Sequence, residues 1–181
     1  MMEKNQIFEN IMSRTSVRSY TEKPVEQEKV EMMLRAGMAA PSACNKQPWH
    51  FVVINDREIL DRIPQFSPYA GMIKQAPLAI LVCGCLDKTL EGTEQEFWIQ
   101  DCSAATENIL LMAHGLGLGG VWTALYPLKE RYEGMQQLLH LPKTMIPLNT
   151  LIIGYPKNQA EAKDKWKEEN ISYNKWMEKN S

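Results

Sequence analysis

The sequence predicts an α+β fold in which one sheet is packed by helices. The predicted helices and strands are mixed along the chain, and its 181 residues are enough for one domain of ordinary size, which we place at 1–181. A long helix is predicted from Phe97 to Leu116, with apolar side chains on most of its sides, as expected for a helix that is central or lies at a subunit contact. The continuous apolar run from Pro77 to Cys85 is typical of a strand that is covered on both faces.

Two helices are predicted before the first strand. Residues Ile7 to Ser13 form a short helix, and Pro24 with the glutamates after it opens a second one. The second helix ends at Ala40, because the residue before Pro41 disfavours helical torsion angles. Its apolar positions follow the spacing of one helix face: Val30, Met33, Leu34, Gly37 and Met38.

A polar stretch over 41–48 separates these helices from the rest of the chain. The elements predicted around the apolar strand and the long helix are a strand Trp49–Asn55, a helix Asp56–Ile63, an extended segment Val121–Leu125, a helix Lys129–His140 and a strand Met145–Gly154. The tail Lys157–Ser181 is charged but carries large apolar groups, which need a surface to cover: Trp166, Ile171, Tyr173 and Trp176. We therefore predict that the tail is an arm lying on a partner subunit.

The amino-acid composition and net charge limit the kinds of partner that the protein can bind. Apolar residues make up 44% of the chain and charged residues 23%, which is ordinary for a soluble protein. A net charge of −2 argues against a general attraction to nucleic acid or to an anionic membrane. No apolar run has the length of a membrane span, and the N-terminus lacks the pattern of an export signal, so we expect a cytoplasmic protein.

The four cysteines have the spacing of neither a zinc site nor a disulfide framework. We expect reduced, buried thiols and no metal. Cys83 and Cys85 lie two apart in the predicted strand, so their side chains point to one face. A redox pair at these two positions is the alternative, although it lacks the usual two-residue spacer and helix N-terminus.

The segment Gly115–Gly120 matches the spacing G-x-G-x-x-G of dinucleotide-binding loops. That motif requires a strand before it and a helix after it. Here a long predicted helix precedes the glycines and an extended segment follows them. We therefore interpret the glycines as a helix C-cap followed by a tight entry into a strand, and we expect no Rossmann-type NAD site.

The first candidate binding segment is an extended loop after the first helix. Arg14, Ser16 and Arg18 alternate along it, which places their side chains on one side. Two guanidinium groups and a hydroxyl suit a phosphate, because arginine forks bind phosphate oxygens in a bidentate manner. The alternative is a solvated loop with two ordinary surface arginines.

The second candidate segment lies just before the first predicted strand. Ser42, Asn45 and Gln47 place a hydroxyl and two amides between prolines. Amides both donate and accept hydrogen bonds, and so they suit the alternating acceptors and donors at the pyrimidine edge of a flavin. The alternative is an Asx-type turn that satisfies its own backbone.

Taken together, these segments resemble the FMN-dependent nitroreductase family. The resemblance runs from about Asn10 to Trp176. It rests on five pieces in the family's order, which are 14–18, 40–49, the helix 97–111, 117–122 and Ile153-Gly-Tyr-Pro156. It implies a short, single-domain member of that family, with a mostly antiparallel central sheet and a C-terminal arm exchanged onto the partner subunit.

The resemblance also implies which residues bind FMN. The first loop would hold the phosphate, the ribityl chain and the pyrimidine side, and the second would reach the same flavin from the other subunit. The segment 122–125 would lie near the isoalloxazine ring, and a late lysine pair would complete the phosphate site. Lys165 stands where the family usually has an arginine. The lysine keeps the positive charge but lacks the forked guanidinium donors. The implied residues are Arg14, Thr15, Ser16, Arg18, Pro41, Ser42, Ala43, Asn45, Gln47, Trp122, Thr123, Ala124, Leu125, Lys163 and Lys165.

The activity implied is hydride transfer from NADH or NADPH, by way of FMN, to a small electron-poor acceptor such as a nitroaromatic or a quinone. Arg18 is the candidate for favouring negative charge at flavin N1, and no side chain is named as a catalyst. We expect a homodimer with FMN at the subunit interface. The alternatives are a flavin-binding storage or sensing protein without turnover, and a specialised branch of the family that carries out reductive dehalogenation or ring oxidation.

Overall fold

The computed structural model describes residues 5–158 and 161–176. The helices and strands, in chain order, are α1 (Gln6–Ser13), α2 (Gln27–Met38), β1 (Trp49–Ile54), α3 (Arg57–Arg62), β2 (Leu78–Cys85), α4 (Phe97–Gly115), β3 (Gly119–Ala124), α5 (Lys129–Leu138) and β4 (Met145–Gly154). Short 3₁₀ turns lie between several of them, including one at Ala43–Asn45. The predicted α+β fold and its long central helix are confirmed.

The four strands form one antiparallel sheet in the order β1-β2-β4-β3. Strand β2 pairs with β1 from Trp49 opposite Gly84, and β4 pairs with β3 from Gly119 opposite Gly154. The two central strands, β2 and β4, are buried over nearly their whole length. The apolar run in the sequence therefore predicted the centre of the sheet correctly.

Two hydrophobic cores cover the two faces of the sheet. Helices α2 and α4 pack on one face, where Ile80 and Leu151 of the sheet meet Ile109 of α4. Helices α3 and α5 pack on the other face, against Leu81 and Ile152. Neighbouring strand residues thus enter opposite cores, as the period-two geometry of a strand requires.

Some predicted boundaries and one predicted core position are wrong. Helix α2 begins at Gln27 and not at Pro24, because Glu26 is an extended N-cap with ψ 137°. Met38 is exposed at the end of this helix, so its position in the apolar repeat did not bring it into the core. Helix α5 ends at Leu138, two residues before the predicted end, and His140 has a left-handed backbone with φ 54°.

The glycine segment after α4 is a helix C-cap, as predicted. The Leu118 N–H donates to the carbonyl of Ala113, and the Gly117 N–H donates to the carbonyl of His114. Gly117 has φ 75°, the left-handed conformation that this motif requires. Strand β3 begins two residues later, so no helix follows the glycines.

The cysteines are free thiols. Cys83 and Cys102 are fully buried, as expected, whereas Cys85 is half-buried and Cys44 is exposed, so the expectation of burial is wrong for Cys44. Burial raises the pKa of the Cys83 and Cys102 thiols, which disfavours the reactive thiolate. No group of side chains suited to a metal ion occurs within 5–158 and 161–176. None of the helices in these residues could span a bilayer.

Gly84 offers a test of how tightly α4 packs on the sheet. A Cβ at this position would lie 2.2 Å from Cε3 of Trp98, whose ring is buried and makes an edge contact with Tyr126. Because Trp98 has little room to move, we expect Gly84→Ala to lower the free energy of unfolding by about 1–3 kcal/mol. Urea unfolding measures this loss.

Gly71→Ala is the matched control for that measurement. A Cβ at Gly71 meets no atom within 4 Å. We expect this exposed substitution to change stability by no more than about 0.5 kcal/mol. Equal midpoints for the two variants would contradict the packing of Trp98 against β2.

Candidate active site

The first candidate loop lies against the beginning of β3. Ser16 forms a parallel bridge with Gly120, and the Val17 N–H donates to the Gly120 carbonyl at 3.1 Å. Val17 packs over Gly119, where a Cβ would lie only 2.6 Å from the valine side chain. Ser16 and Arg18 are exposed on either side of the half-buried Val17. The predicted alternation is present for Ser16 and Arg18, which the loop presents outward from a backbone attached to the sheet, whereas Arg14 is half-buried.

Arg14 is held at the side of α4. Its Nε lies 3.4 Å from Oε1 of Glu107, and its side chain is 19% exposed. Ser13 and His114 lie beside it, with 2.8 Å between Ser13 Oγ and His114 Nε2. Burial and the nearby Arg14 charge lower the pKa of His114. A neutral, hydrogen-bonded ring at this position supports a packing role for His114.

Arg18 is the more open of the two arginines. Its guanidinium makes no hydrogen bond or ion pair within the part of the chain that the structure describes. The hydroxyl of Ser16 is likewise exposed. Two guanidinium groups and a hydroxyl on one loop can bind an anionic, oxygen-rich group such as a phosphate.

Tyr20 fixes this loop, and sequence reasoning missed it. Its buried hydroxyl reaches the carbonyl oxygens of Val17 and, at 3.0 Å, of Ile152. Burial raises the pKa of Tyr20, which keeps the hydroxyl neutral. Because Ile152 is 132 residues away in the chain, no local pattern could have identified this contact.

The second candidate loop has an unusual backbone. Cys44, Asn45 and Gln47 have φ values of 47°, 55° and 49°, which place three non-glycine residues in the left-handed region. Such conformations persist only where the surroundings impose them, and they cluster at functional sites. The Ser42 hydroxyl accepts a hydrogen bond from the Gln47 N–H at 2.9 Å, and the Gln47 amide donates to Asn45 Oδ1 at 3.2 Å.

These hydrogen bonds agree in part with the turn interpretation of the loop. Ser42 satisfies the loop's own backbone, as the alternative proposed. The amides of Asn45 and Gln47 bond to each other at the surface, and both residues are exposed. They can therefore offer their remaining donors and acceptors to a ligand.

A buried carboxylate connects the second loop to α4. Asp101 is only 7% exposed, and its Oδ1 accepts the Ala43 N–H at 3.0 Å. Sequence reasoning missed this residue too. Its one signal was a charged side chain on a helix whose other buried residues are uncharged.

The segment 122–125 forms the end of β3 and the residue after it. Thr123 and Leu125 are buried, and the Thr123 hydroxyl donates to the Thr150 carbonyl at 2.8 Å. Trp122 is half-buried and Ala124 is exposed. This segment continues the strand on which the first loop lies.

The structure brings some of the implied residues together and keeps others apart. Within residues 5–158, the first loop meets β3, whereas no hydrogen bond or ion pair joins it to the second loop. The two loops attach to α4 at Glu107 and Asp101, which are six residues, or about 9 Å, apart along the helix axis.

The late lysines lie on the tail, which begins beside the first loop. The Lys157 N–H donates to the Ser19 carbonyl at 3.0 Å. Lys163 and Lys165 are exposed, and neither makes an ion pair within the described part of the tail, 161–176. Residues 159–160 and 177–181 of the predicted arm lie outside the described residues.

The fold and the site define a class of protein. The fold is an antiparallel sheet with a long central helix. It carries an open cationic loop and a strained loop of amides, which together are suited to holding a phosphate-bearing redox cofactor. The family follows from comparison with known proteins. Residues 11–67 and 66–155 match the model of the Nitroreductase family, and the chain belongs to this family.

Relatives extend over almost the whole chain. A protein of Methanothermobacter thermautotrophicus, provisionally named NADH dehydrogenase/NAD(P)H nitroreductase, is 43% identical over 96% of this chain and 89% of its own length. A crystal structure from Parabacteroides distasonis with the same provisional name has a TM-score of 0.91, with 43% identity over 96% of this chain and 100% of that one. An FMN-dependent nitroreductase from Clostridium difficile has a TM-score of 0.85, with 27% identity over 92% of this chain and 98% of that one.

Family membership confirms several sequence predictions. The fold is that of the family, and the class is an FMN-dependent NAD(P)H oxidoreductase with FMN as cofactor. The acceptor, the individual binding residues and the arm exchange stay predictions.

Proposed function

We propose that this chain transfers hydride from NADH or NADPH to a small electron-poor acceptor, such as a nitroaromatic or a quinone, with FMN bound at the interface of a homodimer. The observation that carries the proposal is a loop that presents the exposed Arg18 guanidinium and Ser16 hydroxyl, with the half-buried Arg14 guanidinium at its start. When bound, FMN supplies the redox chemistry, because its ring can accept and release a hydride.

The donor groups of the first loop fit an FMN phosphate. Arg14 has its Nε engaged by Glu107, which leaves the terminal guanidinium nitrogens for a phosphate. Arg18 has all its donors available within the described structure and is the candidate for favouring negative charge at N1 of the ring. Tyr20 and the Gly120 bridge hold the loop backbone, so these side chains start from a fixed position. Thr15, beside them, is half-buried.

The second loop supplies groups that suit the polar edge of the flavin ring. Ser42, Asn45 and Gln47 offer a hydroxyl and two amides, while Pro41 and Ala43 shape the approach to them. Because no hydrogen bond or ion pair joins this loop to the first loop within residues 5–158, we propose that it comes from the partner copy. The lysines of the tail, Lys163 and Lys165, would add positive charge at the phosphate, and the segment 122–125 would flank the ring.

The surface of α1 supports a dimer. No residue of α1 is buried, although Ile7 and Ile11 are large and apolar and are 72% and 49% exposed. They line an open apolar groove of about 700 Å³ together with residues of α2 and α4. Exposed apolar area of this kind marks an interaction surface. We propose a second copy of the chain as its occupant, with the tail aromatics as an arm exchanged onto it.

The function has a direct test. Purified protein should show the visible absorbance of bound FMN, or gain it on addition of FMN. It should then consume NADH or NADPH steadily when a nitroaromatic or a quinone is present. Absence of flavin binding would defeat the proposal, and binding without turnover would favour a storage or sensing protein. A cytoplasmic location also remains a proposal, supported by four free thiols.

A further inference from the structure

Helix α4 holds the end of α2 and the second loop through two polar side chains. The Asn108 amide donates to the Ala36 carbonyl, in the last turn of α2, at 3.0 Å. Asp101 accepts the Ala43 N–H in the loop at the same distance. Since the two side chains are seven residues apart, they lie on one face of α4. That face therefore sets where α2 ends and where the loop begins.

Two hydrogen bonds connect the polar stretch 41–48 to other elements in the described structure. The Cys85 N–H donates to the Pro48 carbonyl at 2.7 Å, after the left-handed residues, and the Ala43 N–H donates to Asp101 before them. The other hydrogen bonds of 41–47 stay inside the loop, so the Asp101 bond is the polar contact that holds the start of the loop. A strained backbone needs such support to keep one conformation.

Burying the Asp101 carboxylate costs free energy, which indicates a specific role for this residue. Its neighbours on α4, Trp98, Cys102 and Ala105, are buried in the apolar core. A carboxylate removed from water is strongly unfavourable unless it is hydrogen-bonded. The carboxylate also borders a groove of about 390 Å³ that lies between the loop and the first turns of α4, next to Ser42 and Phe97.

We infer that Asp101 is a positioning residue for flavin binding. By accepting the Ala43 N–H, it holds the second loop in the left-handed conformation that presents Ser42, Asn45 and Gln47 to FMN. This inference rests on the proposed function, because it concerns the same cofactor site. Asp101 acts through the loop and touches neither FMN nor substrate.

The test compares two substitutions of Asp101 by titrating flavin-free protein with FMN and following flavin fluorescence. Asp101→Ala removes the acceptor, and we expect Kd to rise about tenfold or more, the effect of losing one charged hydrogen bond. Asp101→Asn keeps an acceptor oxygen in place and should recover Kd to within about threefold of the wild type. At saturating FMN, the visible circular dichroism of the bound flavin should change in Asp101→Ala and be restored in Asp101→Asn.

Thr106→Val is the control for general damage to α4. The buried Thr106 hydroxyl donates to the Cys102 carbonyl and accepts from the Asn149 amide, away from the loop. This variant should lower the melting temperature and leave the Kd for FMN unchanged. If Asp101→Ala binds FMN as tightly as Thr106→Val, or if Asp101→Asn is as weak as Asp101→Ala, the inference is overturned.

A second variant removes the same hydrogen bond from the loop side. Ala43 is the first residue of a 3₁₀ turn and follows an extended Ser42, with φ −144° and ψ 154°, so its position accepts proline. Ala43→Pro deletes the donated N–H without altering α4. It should weaken FMN binding about as much as Asp101→Ala does, and the double variant should be no weaker than either single one.

Comparing Asp101→Ala, Ala43→Pro and the double variant distinguishes failure of this inference from failure of the proposed function. Unchanged FMN binding by Ala43→Pro, or fully additive losses in the double variant, would overturn the role of the Asp101–Ala43 bond while leaving the flavin site intact. Failure of the wild-type protein to bind FMN would instead overturn the proposed function.

Discussion

Replacing both Arg14 and Arg18 with alanine should release FMN. Each charged hydrogen bond to a phosphate contributes about 1.5–3 kcal/mol, so losing one from each arginine should raise Kd by roughly 10²–10⁴-fold. The structure supports a local effect, because Tyr20 and Gly120 still hold the loop backbone when the Arg14–Glu107 ion pair is lost. Titration with FMN, followed by fluorescence, measures the loss.

Replacing both arginines with lysine separates the effect of positive charge on FMN binding from that of the forked guanidinium geometry. Arg14→Lys with Arg18→Lys keeps both charges but loses the forked donors, so its Kd should lie between those of the wild type and the double alanine variant. Arg62→Ala with Lys88→Ala removes the same net charge from exposed positions outside both candidate loops and should leave FMN binding unchanged. Retained FMN in the double alanine variant would show that the phosphate site lies elsewhere.

The elements predicted well are those that depend on near neighbours in the chain. The apolar run of β2 and the length of α4 are local patterns, and the structure places both at the centre of the fold. The glycine C-cap after α4 was predictable because it depends on order along the chain, with a helix before the glycines and a strand after them. The failures are at boundaries, where Glu26 is extended although its neighbours favour a helix.

The same distinction between local patterns and tertiary contacts applies to the residues of the candidate site. Alternation along an extended loop predicted the exposure of Ser16 and Arg18. Tyr20 and Asp101 escaped prediction because each acts through a tertiary contact, with partners 132 and 58 residues away. The left-handed backbone at Cys44 was also beyond sequence reasoning, since cysteine has no preference for that conformation.

Helix α1 meets α4 through polar side chains. The Asn10 amide donates to the Leu111 carbonyl at 3.0 Å, and Ser13 meets His114. The large apolar side chains of α1 remain 45–72% exposed, at Ile7, Phe8, Ile11 and Met12. The hydrophobic effect favours covering them by about 1.5–3 kcal/mol for each large side chain that becomes fully buried. A two-fold contact would bury the same residues on both copies.

The double substitution Ile7→Glu with Ile11→Glu should therefore give a monomer, as measured by light scattering or sedimentation. It should also weaken FMN binding by more than about tenfold, because it removes the hydroxyl and the two amides of the partner's loop, whose neutral hydrogen bonds contribute about 0.5–1.5 kcal/mol each. Leu128→Glu is the matched control, because Leu128 is as exposed as Ile11, at 49%, and lies at the N-cap of α5. A wild-type monomer that binds FMN would contradict the shared site. A monomeric double variant with unchanged affinity would show that both loops reach FMN within one chain.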